Sequence, residues 1–233
     1  MLKSLAILQS NYIPWKGYFD LINSVDEFII YDHVQYTKND WRNRNIIKTA
    51  NGLKWLTIPV IHSTSMIIKD VRVLNNRWRI KHWSTLSMNY CKARYFKDFK
   101  DQFEYLYLKG KETYLSEINY LFINAINGIL KIKTKISKSW DYELEGDRTE
   151  RLVGLIKQAD ANIYISGPAA KDYLEEDKFK KEGIKIIWMD YSNYPEYVQL
   201  YPPFQNNVSI LDLIFNEGLD AVKYMKSFKN EKQ

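Results

Sequence analysis

The chain has 233 residues, 45% of them hydrophobic and 27% charged, with a formal net charge of +6. That length and balance exclude a disordered or fibrous chain and allow one large domain, or a domain with an insertion, around a substantial core. A single Cys91 excludes an intrachain disulfide, His33, His62 and His82 form no zinc-type cluster, and no apolar run approaches the ~20 residues of a membrane span.

No N-terminal stretch has the charged, apolar and small-residue order of a signal peptide, so the expected location is the cytoplasm. The basic excess favours anionic partners, although a scattered Lys-rich surface gives the same total. The 18 Tyr and 7 Trp combine apolar bodies with polar handles. They suit a wet, ligand-lined surface or an aromatic core equally.

Residues 5–8 read as a short buried strand. The polar turn Gln9-Ser10-Asn11-Tyr12 leads into a helix over about 15–23, and residues 27–31 form a second short apolar run. Strand, helix and strand of this length make a βαβ unit with a parallel pair. In open parallel sheets ligands sit beyond the carboxyl ends of the strands. That rule places Gln9, Asn11, Tyr12 and the nearby Trp15 beside Asp32, His33 and Gln35. Next comes Trp41-Arg42-Asn43-Arg44-Asn45, in which Arg42 and Arg44 offer rigid forks suited to phosphate or carboxylate. Asn51-Gly52 between two β-prone runs predicts an antiparallel hairpin with this cluster near its base.

Residues 62–70 read as a loop and 70–74 as one more strand. From Asn76 the spacing of apolar groups turns helical, over 77–90, 97–109 and 112–130, with Lys109-Gly110 and Asn127-Gly128 as breaks. The segment 76–131 is therefore a helical lobe, packed on or inserted into an α/β core made of 1–75 and 132–233. After an alternating strand at 132–137, Asp147 stands as N-cap or first-turn acid of a new helix. Residues 162–166, ending in Ser166, read as a buried strand, followed by a helix around 169–174 and a last strand at 184–189. Residues 190–204 carry four Tyr and three Pro, including Tyr197 and the adjacent amide Gln199. Proline restrains such a loop, and long loops of this kind are often functional. Ser209 caps a final helix, and the tail from Lys226 reads as frayed. The fold class is α/β: a mainly parallel Rossmann-like sheet with a β-hairpin and a central helical insertion.

No Gly-x-Ser-x-Gly elbow, Walker loop, Gly-x-Gly-x-x-Gly or His-Glu-x-x-His is present. His82 is the first general-base candidate, because imidazole titrates near working pH, and His33 is the second. Asp32 is placed to accept a hydrogen bond from an amine or a ribose hydroxyl. Asp147 is placed similarly, although capping explains it without function. Cys91 has cationic neighbours in Lys92 and Arg94 but no histidine pattern beside it, and reads as incidental. Nucleotidyltransferases of the His-x-Gly-His type begin with a comparable strand, turn and helix. Here Trp15-Lys16-Gly17-Tyr18 holds that place, with the glycine and without the histidines.

Several segments in fixed order resemble the WbqC-like proteins. They are residues 9–19, Asp32-His33-Val34-Gln35-Tyr36, Trp41-Arg42-Asn43-Arg44-Asn45, Asp147-Arg148-Thr149-Glu150-Arg151-Leu152, Tyr164-Ile165-Ser166-Gly167-Pro168 and residues 209–218. The resemblance spans nearly the whole chain. This sequence departs from it in Ser10, where proline is usual, and in His33, where a second acid is common. The resemblance implies a role in bacterial O-antigen, lipopolysaccharide or other surface-polysaccharide biosynthesis, and an N-acyl- or aminoacyltransferase acting on a nucleotide-linked amino sugar. No cofactor is bound in that reading. An acyl-carrier-protein or coenzyme A thioester serves as co-substrate, with the basic charge suited to an acidic carrier. Arg42 and Arg44 would hold phosphate, and His82, Asp32 or His33 would take the amine proton. Gln9, Asn11, Tyr12, Trp15, Gln35, Asn45, Asp147, Ser166, Tyr197 and Gln199 would line the sugar or nucleotide pocket, with no metal. The alternatives are a non-catalytic sugar-binding or polysaccharide-assembly protein and a nucleotidyltransferase-like enzyme. Nucleic acid is not an expected partner, and the oligomeric state is not legible in the sequence.

Overall fold

A computed structural model describes residues 2–228. Strand β1 (Ser4–Leu8) is buried along its middle, as a central parallel strand covered on both faces must be. Helix α1 (Lys16–Asn23) returns the chain to β2 (Glu27–Ile30), parallel to β1 with Leu5 opposite Glu27 and Leu8 opposite Ile30. Strands β3 (Arg44–Thr49) and β4 (Gly52–Thr57) form the antiparallel hairpin expected from Asn51-Gly52. Gly52 takes a φ of +97°, which a residue with a Cβ adopts only with strain. A small antiparallel pair, β5 (Val60–Ile61) with β6 (Arg72–Val73), follows.

Three helices come next: α2 (Arg77–Tyr90), α3 (Phe96–Lys109) and α4 (Leu115–Leu130). Asn127-Gly128 does not break α4. Gly128 faces open space there, and the helix stops instead at Lys131, which takes the left-handed φ of 58°. Strand β7 (Lys135–Lys138), α5 (Arg148–Gln158), β8 (Ile163–Ser166), α6 (Glu176–Lys181) and β9 (Lys185–Trp188) complete the α/β part. The helix expected around 169–174 is a single 3-10 turn, Pro168–Asp172. Asp147 caps α5 by accepting the N–H groups of Thr149 and Glu150, and Ser209 caps α7 (Ile210–Glu217) through Leu211.

The five parallel strands lie in the order β7-β2-β1-β8-β9. In chain order this is 3-2-1-4-5, with the direction of winding reversing between β1 and β8. Such a switch point opens a crevice at the carboxyl edge of the sheet. On one face Leu5, Ile7 and Ile29 meet Leu152, Leu155 and Ile156 of α5 and Phe179 of α6. On the other, Ala6, Phe28 and Ile30 belong to one cluster with Phe19, Phe103, Phe122 and Phe215. The helical segment thus shares its core with the sheet. Phe215 joins them, with ring centroids 5.3 Å from Tyr90, 5.1 Å from Phe96 and 5.5 Å from Phe103. Such pairs contribute about 0.5–1.5 kcal/mol each beyond their buried area.

The tail is held where the sequence suggests fraying. The backbone N–H groups of Lys226 and Ser227 both donate to the Asp20 carboxylate, at 2.9 Å each, and Lys226 Nζ reaches Asp190 at 2.8 Å. The remainder of that tail, 229–233, lies outside the described residues. Among the described residues no helix is long and apolar enough to cross a membrane.

Candidate functional site

The residues after β1, β2 and β7 meet at the carboxyl edge and are locked by buried polar groups. Asp32 Oδ1 accepts the Ser10 N–H at 2.8 Å, and its Oδ2 accepts the Ser116 hydroxyl from α4. Asn119, also on α4, donates to Ser10 Oγ at 3.0 Å and to the Arg42 carbonyl at 2.9 Å. Burial pushes the Asp32 carboxyl above the usual range, against the pull of these hydrogen bonds. Asn45 donates to the carbonyls of Tyr12 and Ile13 at 3.0 and 2.9 Å, and Ser209 Oγ donates to the latter at 2.7 Å. These donors hold Ile13 at a φ of 38°, a strained position for a β-branched residue.

The frame encloses a cleft of two compartments. The basic one, about 730 Å³, is lined among others by Gln9, His33, Gln35, Arg42, Asp147, Arg148 and Arg151. The aromatic one, about 390 Å³, is lined by Asn11, Pro14, Trp15, Trp41, Asn45, Tyr191 and Asn207. Arg42 links them. Its guanidinium donates to Asn11 Oδ1 and, at 3.2 Å, to Gln9 Oε1, with Asp40 3.6 Å away. Trp15 and Tyr191 pack edge to face with centroids 5.4 Å apart. Burial pushes the Tyr191 phenol up to about 12, so it stays protonated. His33 Nδ1 lies 2.9 Å from the buried Ser139 hydroxyl. Burial first, then Lys69, lowers its pKa, which leaves a neutral imidazole at pH 7.

The cleft therefore gathers Gln9, Asn11, Trp15, His33, Gln35, Arg42, Asn45 and Asp147 from the sequence candidates. Others lie elsewhere. His82 is buried in the core: Nδ1 is 2.9 Å from the Tyr12 hydroxyl and Nε2 is 3.2 Å from the Thr57 carbonyl. A carbonyl only accepts, so Nε2 carries the proton and Nδ1 accepts from Tyr12, which accepts in turn from Tyr107 at 2.6 Å. Burial lowers the His82 pKa to about 4. With both nitrogens used, His82 and Tyr12 are packing groups behind the cleft, and the fully buried Asp32 is a brace beneath it. Arg44 stacks on Trp55 at 4.1 Å, outside both compartments. Tyr197 and Gln199 bind the buried Asp212 carboxylate at 2.8 and 2.9 Å, and Ser166 is buried at the end of β8.

Sequence reasoning missed Arg148, Arg151, Trp41, Tyr191 and Asn207 as cleft residues. The two arginines lie three apart in the first turn of α5, directly beyond β7, which is the signal that would have found them. Cys91 is exposed at the end of α2, away from the cleft. Among the described residues no group of three His, Cys, Asp or Glu side chains stands close enough to hold a metal ion.

The model of the WbqC-like protein family matches residues 9–224, a span that contains every residue lining the cleft. A Mycobacterium tuberculosis protein, named as uncharacterized protein Rv1507c, is 47% identical over 230 residues, covering 97% of this chain and 98% of its own. No solved structure matches. With a family match over most of its length and a full-length relative at this identity, the chain belongs to the WbqC-like protein family.

Proposed function

We propose that the protein is an N-acyl- or aminoacyltransferase that acts on a nucleotide-linked amino sugar in bacterial surface-polysaccharide synthesis, such as that of O-antigen. The observation that carries this reading is the pairing of a basic and an aromatic compartment at the carboxyl edge of the sheet, joined by a pinned arginine. The base lies against Trp15, Trp41 and Tyr191, with the amides of Asn11 and Asn207 at its edge. The diphosphate bridges to Arg42 and on towards Arg148 and Arg151, where charge-assisted hydrogen bonds contribute about 1.5–3 kcal/mol each. The amino sugar then lies beside His33 and Gln35.

The amine lone pair attacks the thioester carbonyl of the donor. The C–N bond forms, the C–S bond breaks, and the sulfur leaves as thiolate. His33, neutral at pH 7, takes the amine proton and returns it to the leaving thiolate. General-base help of this kind contributes roughly 10²–10⁴-fold in rate. A nucleotide-linked acceptor and a thioester donor both belong to the cytoplasm, which is where the reaction is placed.

The test incubates purified protein with amino-sugar nucleotides and acyl or aminoacyl thioesters, and follows N-acylated product by mass spectrometry. Product is expected, with His33→Asn lowering kcat at least about a hundredfold while nucleotide affinity holds. Arg42→Ala is expected to weaken nucleotide binding by about ten- to a hundredfold. No product with any donor refutes the transfer reading. A second reading has its own support: the aromatic compartment holds no carboxylate, imidazole or thiol. Should the sugar rather than the base occupy it, the protein is a non-catalytic sugar-binding component of polysaccharide assembly. Retained binding without turnover distinguishes that case.

A further inference from the structure

A second concavity, of about 420 Å³, lies between β4 and the start of α2. Its wall carries Lys54, Arg77 and Lys81 together with Trp55 and Trp78, and no carboxylate. Arg77 and Lys81 lie one helical turn apart on α2, an arrangement in which like charges repel. All three cations are exposed, so burial does not explain their gathering. Helix α2 opens at this wall; Asn75 Oδ1 accepts the Arg77 N–H at 3.0 Å, Asn76 adds no side-chain cap, and the rest of the positive helix end adds to the field. Trp78, on the same wall, is buried with its indole N–H lacking any acceptor. Cations with no counter-charge among the described residues, the positive end of α2 and an unmatched donor together describe a site for an anion.

This pocket is connected to the cleft. Trp55 lines it and packs on Trp41 with ring centroids 5.4 Å apart, and Trp41 lines the aromatic compartment. Both indoles are large exposed apolar groups, at 43% and 42%. They form a ridge from one pocket to the other.

We propose that the Lys54–Arg77–Lys81 pocket binds the phosphate end of the acyl donor, and that the donor's arm crosses Trp55 and Trp41 to reach the cleft. The phosphate-and-thiol arm is common to coenzyme A and to the phosphopantetheine group of a carrier protein. The identity of the ligand rests on the acyltransferase reading; the existence of an anion site rests on the pocket alone.

Calorimetric titration of the full chain tests it, with coenzyme A and a phosphopantetheine-loaded carrier protein as separate probes. The variants are Lys54→Ala/Arg77→Ala/Lys81→Ala, checked by circular dichroism, and Arg42→Ala. At least one probe is expected to bind the wild type, to weaken as salt rises, and to lose about tenfold or more in affinity in the triple variant but not in Arg42→Ala. Dependence confined to coenzyme A assigns the free cofactor as donor, and dependence confined to the carrier assigns the carrier. Binding by neither probe, or equal binding by wild type and triple variant, overturns the proposal. Transfer activity separates the two readings. Normal donor KM in the triple variant refutes the pocket and leaves acyl transfer standing. Charge-dependent coenzyme A binding without turnover refutes acyl transfer and leaves the pocket standing.

Discussion

Lys16→Met tests how the loop after β9 is held over the cleft. Lys16, the first residue of α1, is buried, and its ammonium donates to the Pro195 carbonyl at 3.2 Å. It lies over the rings of Tyr194, Tyr197 and Phe204, at 4.9, 5.3 and 5.8 Å from their centroids. Burial lowers its pKa from 10.5 to about 8, although Asp20, Asp212 and Glu196 pull the other way. At 1.36 kcal/mol per pH unit that drop corresponds to about 3 kcal/mol, which solvent at the loop edge reduces to about 2 kcal/mol. The folded pKa lies below the unfolded one, so the unfolded chain holds the proton more tightly between them. The wild type is therefore penalised below pH 8 and released from that penalty as pH rises to 10.5. Methionine carries no such penalty and forfeits about 1 kcal/mol of ring contact to the cation. At pH 7 Lys16→Met is expected to be about 1 kcal/mol more stable than wild type, and the difference is expected to close by pH 10.5, where folded Lys16 is a neutral amine with neither the burial penalty nor the cation–ring contact. Urea denaturation followed by tryptophan fluorescence at pH 7, 9 and 10.5 measures both. The tyrosines titrate in both proteins and cancel in the difference. Parallel stability curves, or a wild type that loses ground as pH rises, refute the account.

Two further outcomes separate structure from chemistry. Glu27 is fully buried and accepts from Lys3 at 2.8 Å, Lys135 at 2.9 Å, Ser137 at 2.7 Å and Tyr142 at 2.7 Å. Burial alone would raise its pKa, but these hydrogen bonds outweigh it and lower it from 4.5 to about 2. Its contribution is present above pH 4.5 and lost as pH falls towards 2. With Lys135 two-thirds exposed (66%), solvent screening leaves about 2 kcal/mol. Glu27→Gln is expected to lose that much stability at pH 7, with the gap closing below pH 4.5 in acid titrations of folded fraction. His82→Ala is expected to cost about 2–3 kcal/mol through a cavity and an unpaired Tyr12 hydroxyl. Acyl transfer, measured well below the melting temperature, should keep its kcat; a loss of a hundredfold or more would make His82 catalytic after all.

Much of the frame is legible in the sequence because its signals are local. Short apolar runs at 5–8, 27–31 and 184–189 are too brief for helices, and Asn51-Gly52 demands a tight turn. Strand order is not local: that β8 pairs with β1 follows from how the helices distribute over two faces. The cleft divides in the same way. The rule about carboxyl ends finds Gln9, Asn11, His33 and Gln35, because it depends only on where strands stop, and the guanidinium fork marks Arg42. Chemical type misleads wherever burial decides the role. Asp32 and His82 carry the groups that acid–base catalysis uses, and the fold spends both on internal hydrogen bonds. Arg148 and Arg151 read as an ordinary helix start unless the carboxyl-end rule is carried on to β7 and the helix that follows it. Tyr197 and Gln199 belong to an interesting loop, yet they face inward to Asp212 while Tyr191 faces the cleft.

Those inward-facing polar groups still bear on function. Asp32 fixes Ser10 between β1 and α4, Asn119 fixes the Arg42 backbone, and Gln9, Asn11 and Asp40 fix the Arg42 guanidinium. An arginine already held in place surrenders little rotamer freedom when an anion arrives, a cost of about 0.5–1.5 kcal/mol for a free long side chain. Asn45 and Ser209 similarly hold the strained Ile13 carbonyl, which sets where Pro14 and Trp15 stand. The cleft is thus shaped before any ligand enters, in part by residues that do not line it, namely Asp32, Asn119 and Ser209. In this fold the polar residues that look catalytic and the polar residues that bind are two layers of one network, the inner layer fixing the geometry that the outer layer presents to a ligand.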